Sequence, residues 1–158
     1  MMADLPEILL VEDSKDDRDL FRMALAESGL LARLTCAADA PDAVFRLNRL
    51  GPFANTNLPD LIVMDLGLPG LRGQTLLQVI RNVYGPRHIP VVVLTGSRSD
   101  EDEQACDAWG ISDYTVKPQD PTSLASYIAS LGRFLVKDDS GVKSSIQSKR
   151  RTTVPSAA

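Results

Sequence analysis

Leu61, Ile62, Val63 and Met64 form an aliphatic run that ends abruptly in Asp65, and Gly67, Pro69, Gly70 and Gly73 crowd the stretch that follows. Consecutive apolar residues without alternation suit a central strand of a parallel sheet, buried on both faces. A carboxylate at the end of such a strand falls on the carboxyl edge of the sheet, where open α/β folds place their ligands. The glycines and proline then demand a loop able to approach something closely. An Asp that merely caps the strand before an ordinary turn satisfies this stretch about as well.

The same alternation recurs along the chain. Ile8 to Val11 is an aliphatic run ending in Glu12 and Asp13. Ser14 can cap a helix with Leu20, Phe21, Ala24 and Leu25 on its apolar face and Gly29 at its stop. Leu34 to Ala37 is a weaker strand, and Asp39 can cap a second helix with Pro41 in its first turn and Val44 and Leu47 inward. A long loop over 51–59 leads back to the strand ending in Asp65, and a third helix carrying Leu76, Leu77 and Ile80 ends before Tyr84.

Val91 to Leu94 form a fourth strand ending in Thr95. Asp100 to Glu103 suit the positive N-terminal end of a fourth helix that stops at Gly110. Tyr114 to Val116 form a fifth strand ending at Lys117 and Pro118, and a last helix runs from Pro121 to Val136. Five strand–helix repeats predict a parallel sheet with helices on both faces, because parallel neighbours require crossovers.

Composition bounds the function. With 158 residues, 44% hydrophobic and 24% charged, the chain suits one domain with its own core. No apolar run approaches ~18 residues and the start, MMADLPE, has no leader pattern, so a cytoplasmic protein without a membrane span is expected. The net charge is −4, but Lys137, Lys143, Lys149, Arg150 and Arg151 against Asp138 and Asp139 give 137–158 a net +3, leaving −7 on the body. An acidic body speaks against a nucleic-acid surface, and the basic tail is read as a solvated segment. Cys36 and Cys106 lack CxxC spacing and read as reduced thiols, and Trp109 as a packing residue.

The polar strand ends, Glu12, Asp13, Asp65, Thr95 and Lys117, all fall on one edge of a parallel sheet. Three carboxylates repel one another and one lysine compensates only part of that, so a divalent cation is the natural remedy. Oxygen ligands with open positions favour Mg²⁺, which keeps several waters and accepts phosphate oxygens. Metal and ammonium beside a carboxylate suit phosphoryl chemistry, with the carboxylate as nucleophile.

In these residues the chain resembles the receiver domain of two-component response regulators, over 6–136. The resemblance rests on the Glu12–Asp13 pair, Asp65 after its strand, Pro69 and Gly73, Thr95 followed by Gly96, and Tyr114 three positions before Lys117 and Pro118. It implies a flavodoxin-like, doubly wound, five-stranded parallel sheet of order 2-1-3-4-5. It also implies that Asp65 accepts a phosphoryl group from a histidine kinase, and that Glu12, Asp13, Asp65 and the Gly67 carbonyl hold Mg²⁺. Thr95 and Lys117 would grip the phosphoryl oxygens, and Tyr114 would swing inward as Thr95 moves. His88, the only histidine, lies in a loop between Pro86 and Pro90 and reads as solvated, so the phosphodonor belongs to another protein.

Three departures from the family pattern stand out. Glu12 replaces a common Asp, Gly67 leaves no side chain beside the phosphoryl group, and the segments 51–59 and 84–90 are long. That layout is similar to the stand-alone regulators serving bacterial and cyanobacterial phytochromes. With 137–158 expected to be a polar tail and no output domain, output would be a protein contact or phosphorelay.

A homodimer is expected through Leu124, Tyr127, Ile128, Leu131, Phe134 and Leu135, whose stripe is wider than the roughly 100° that one sheet face covers. The competing readings are an Mg-dependent phosphatase or mutase with an aspartyl nucleophile, and a receiver-like docking module that is never phosphorylated. The enzymes carry a second Asp two positions after the nucleophile, where this chain has Gly67.

Overall fold

The structure is a computed structural model and describes residues 5–49, 58–68, 73–84, 89–96 and 99–135. Its strands are β1 (Glu7–Val11), β2 (Arg33–Ala37), β3 (Leu61–Met64), β4 (Val91–Thr95) and β5 (Asp113–Val116). Its helices are α1 (Lys15–Ser28), α2 (Ala40–Leu47), α3 (Gly73–Tyr84), α4 (Asp100–Asp107) and α5 (Pro121–Ser130). All strand pairs are parallel, as the strand–helix alternation predicts, and the order is β2-β1-β3-β4-β5, as the family resemblance implies. Pro69, Gly70, His88, most of the loop before Leu61 and the tail 137–158 lie outside the described residues.

Alternate residues of the central strands feed two cores, because successive side chains of a strand point to opposite faces. Leu9, Val11, Ile62, Met64, Val91 and Val93 pack under α2, α3 and α4. Ile8, Leu10, Leu61, Val63, Val92 and Leu94 pack under α1 and α5. All of β3 and β4 is buried, which explains why their sequences run apolar without alternation.

The helices start where the side chains can cap them. Ser14 accepts from Asp17 N–H at 3.2 Å and Asp39 from Asp42 N–H at 2.8 Å. Ser99 and Asp120 cap α4 and α5 in the same way, at 3.3 and 2.8 Å. Each such cap contributes about 1 kcal/mol. Gly29, with φ of 79°, ends α1 in the left-handed region that glycine tolerates. Among the described residues no helix is long and apolar enough to cross a membrane.

Boundaries differ from expectation by one residue at Glu7, Arg33, Tyr84 and Asp113, and by more at the ends of α4 and of the last helix. That helix leaves α geometry after Ser130 and continues as a 3-10 turn, Leu131–Phe134. Two local causes act there. The Ser130 hydroxyl donates to the Tyr127 carbonyl at 2.6 Å and competes with the helical ladder. Gly132, a weak helix former, packs so close to Leu30 that an added Cβ would lie 3.2 Å from its Cδ1.

The stripe assigned to a dimer is also corrected. Leu124, Ile128 and Leu131 are 5%, 0% and 0% exposed, inside the core that α5 forms with α1 and the sheet. A helix covered by a sheet and by a neighbouring helix uses a broader stripe than the sheet alone requires. The Tyr127 hydroxyl donates to buried Asp113 at 3.0 Å, and the Arg133 guanidinium covers the Phe134 ring at 4.5 Å. Tyr127, Phe134 and Leu135 are partly buried against the same core.

Trp109 packs against the other core, as expected of a packing residue. Cys36 and Cys106 are free thiols, and burial pushes the Cys106 thiol up to about 11. An element of that side absent from the sequence reading is Arg81 of α3, only 6% exposed. Its guanidinium donates to the carbonyls of Ile89, Trp109 and Gly110 at 2.8, 2.9 and 3.0 Å, joining α3 to the end of α4 and the entry to β4.

Candidate functional site

Strand register assembles the site. Val11 stands opposite both Ala37 and Met64, so Glu12 and Asp65 leave the sheet side by side. The ladder continues one step past the strands: Glu12 N–H donates to Ala37 O at 3.0 Å, Asp65 N–H to Val11 O at 3.3 Å, and Lys117 N–H to Thr95 O at 2.7 Å. Four polar residues are thereby fixed by backbone hydrogen bonds, at the ends of strands buried in the core. Asp65 then turns sharply, with Gly67 N–H donating to its Oδ1 at 3.1 Å.

Gly73 closes that turn. Its N–H donates to Leu66 O at 3.3 Å, and a Cβ there would lie 2.6 Å from the Leu66 Cα and 2.9 Å from Asp65 O. The close approach expected of the glycine-rich stretch is therefore an approach of the chain to its own backbone, and only glycine fits.

Lys117 is the hub. Its Nζ lies 2.6 Å from Glu12 Oε1, 2.8 Å from Asp65 Oδ2 and 3.0 Å from Asp17 Oδ2. Burial disfavours the ammonium, but hydrogen bonds to Asp65, Glu12 and Asp17 outweigh it and hold Lys117 above its ordinary value. Burial likewise works against the Asp65 carboxylate. Hydrogen bonds from Lys117 and Gly67 prevail, with the Thr95 side chain assisting, and keep Asp65 below the usual carboxylate range. At Glu12, 3% exposed, burial wins over the hydrogen bonds from Lys117 and Ser14 and raises the carboxyl.

Glu12, Asp65, Thr95 and Lys117 are thus brought together as expected, with Thr95 2% exposed. Asp13 is exposed at the same edge. Tyr114 is 8% exposed and belongs to the core that also holds Cys106 of α4. Asp17 was missed. Its sequence signal, an acid three positions after Ser14, is that of a helix start, and nothing local points to a lysine so far along the chain.

The donor set suits a hard cation. Glu12, Asp13 and Asp65 offer only oxygen ligands, and Mg²⁺ binds through one or two carboxylates with waters completing its shell. Among the described residues no three acidic, histidine or cysteine side chains are grouped closely enough to hold a metal ion by themselves. A cleft of about 50 Å³ is lined by Glu12, Asp65 and Lys117 together with the apolar Phe21, Leu94 and Leu124.

The chain matches the response regulator receiver domain over residues 8–129. It is 33% identical over 127 residues to the response regulator Rcp1 of Synechocystis, covering 80% of this chain and 86% of that one. The phosphorylated cyanobacterial phytochrome response regulator RcpA superposes with a TM-score of 0.74 at 32% identity, over 83% of this chain and 94% of RcpA. The bacteriophytochrome response regulator RtBRR gives 0.70 at 35% identity, over 91% and 88% of the two chains.

Proposed function

Since the chain belongs to the response regulator receiver domain family, we propose that Asp65 accepts a phosphoryl group from the phosphohistidine of a sensor kinase. The observation that carries the reading is the single ammonium of Lys117, 2.8 Å from the Asp65 carboxylate and 2.6 Å from Glu12. An Asp65 carboxylate oxygen attacks phosphorus, the P–N bond breaks, the imidazole leaves with its electron pair and takes a proton, and an acyl phosphate remains. Lys117 balances charge on the equatorial oxygens, and Thr95 supplies a hydroxyl beside them. Glu12, Asp13, Asp65 and the Gly67 carbonyl would hold Mg²⁺, which when bound neutralises phosphoryl charge. The crystal structure of the Mn²⁺-bound form of Rcp1 supports a divalent site in a relative. A shift of Tyr114 with Thr95 would carry the phosphorylation signal outward.

Because RcpA is a phytochrome response regulator and RtBRR a bacteriophytochrome response regulator, the donor proposed here is a phytochrome-type histidine kinase. The expected compartment is the cytoplasm, where such kinases meet ATP, and output is a protein contact or phosphorelay. The protein is an acceptor and not a turnover catalyst, since Gly67 offers no general acid two positions after Asp65. Label should pass from an autophosphorylated kinase to the chain only with Mg²⁺. Steady turnover of a simple phosphate ester, or labelling unaffected by a chelator, would contradict the reading.

A homodimer remains part of this proposal, now through the partly buried margin of Tyr127, Phe134 and Leu135 and not through the buried Leu124, Ile128 and Leu131. Light scattering at tens of micromolar should give a dimer mass for the intact chain and a monomer mass for Phe134→Asp. A monomer for the intact chain, with and without phosphorylation, would refute it.

A further inference from the structure

We propose that Asp17 is a positioning residue for Lys117, drawing its ammonium toward α1 and so competing with the phosphoryl group that Asp65 would carry. The inference rests on the reading of Asp65 as acceptor. Asp17 occupies the third position of α1 after the Ser14 cap, where an acidic side chain ordinarily reaches back to the N–H of the capping residue. Here that N–H is taken by Glu12 Oε2 at 3.1 Å. Asp17 is turned instead to Lys117 Nζ, at 3.0 Å.

An ammonium has three N–H donors, and Glu12, Asp65 and Asp17 engage one each. A phosphoryl oxygen that binds Lys117 must displace one of them. Glu12, buried at 3% exposure and held at its other oxygen by the Ser14 N–H, cannot turn to water as an exposed side chain can. Asp65 is the reacting group. Asp17, with a side chain 46% exposed, can turn to water at little cost, so it is the partner that yields. Its carboxylate also adds to the negative charge that an incoming dianion meets. Asp17 thus restrains the phosphorylated state without taking part in the bond changes.

The test uses the full chain with Mg²⁺ and beryllofluoride, a tetrahedral mimic of the phosphoryl group, together with labelling by acetyl phosphate. Asp17→Asn should raise apparent beryllofluoride affinity about three- to fivefold, the scale of a partly exposed charge pair, and the gain should shrink with salt. Asp17→Glu, which keeps the charge, should stay near the wild type. Asp16→Asn, an equal charge change on an exposed residue of the same turn, should leave the affinity unchanged. Equal affinity for Asp17→Asn and wild type, or an equal shift in Asp16→Asn, overturns the proposal. A wild-type chain that takes up neither beryllofluoride nor label fails the reading of Asp65 itself, and the role of Asp17 falls with it.

Discussion

Lys117→Met is expected to destabilise the native protein by about 3 kcal/mol at neutral pH in the absence of divalent metal, the usual cost of leaving buried partners unpaired. The lysine side chain is 24% exposed, and those of Glu12 and Asp65 are 4% and 13% exposed, so solvent screens these contacts weakly. The pH dependence follows from the direction of each shift. Lys117 is raised, so its contribution is fully present below the unfolded value, about 10.4, and is lost as pH rises through its higher native value. The whole contribution is therefore present at pH 7. Glu12 is raised by burial, so on acidification it takes its proton in the native state before it does in the unfolded chain. Protonation relieves the buried charge, and the difference between variant and wild type should narrow on acidification. Urea unfolding in chelator measures both. A loss under about 1 kcal/mol at pH 7 would mean that the carboxylates do not depend on Lys117.

Arg81→Met should be nearly as costly, at about 3 kcal/mol, although Arg81 lies away from the strand ends that carry Asp65 and Lys117. Three carbonyls, of Ile89, Trp109 and Gly110, accept from its guanidinium within 3.0 Å, and methionine fills the volume while offering none of them a donor. Burial lowers the arginine's affinity for its proton without changing its charge at neutral pH. Arg81→Lys should recover little, because an ammonium cannot reproduce the planar fork that meets three acceptors at once. The loss should be local as well as global, with faster hydrogen exchange at Trp109 to Ile111 and altered Trp109 emission. Stability within about 0.5 kcal/mol of wild type would show that these carbonyls find other donors.

The contrast between Arg81 and the strand ends explains what could be read from the sequence. The sheet was legible because β3 and β4 are buried on both faces and so carry unbroken aliphatic runs. The site was legible because its polar residues directly follow those runs, and backbone hydrogen bonds carry the register one residue further. Arg81 left no such mark, since an arginine late in an amphipathic helix reads as surface until the fold brings distant carbonyls to it. Asp17 was hidden for a related reason: its local role in a helix start masks a contact made across the fold. The error over Leu124, Ile128 and Leu131 came from counting one covering surface for α5, where the sheet and α1 supply two.

The most direct test of the account is chemical mapping of the label. The chain, phosphorylated with Mg²⁺ present, is reduced with borohydride to trap the acyl phosphate and digested for mass spectrometry. The account expects the trapped site at Asp65, its loss in Asp65→Asn, and unchanged labelling in Asp60→Asn, whose carboxylate binds the Glu7 N–H at 2.8 Å at the far end of the sheet. Label trapped at another residue, or retained in Asp65→Asn, would contradict it.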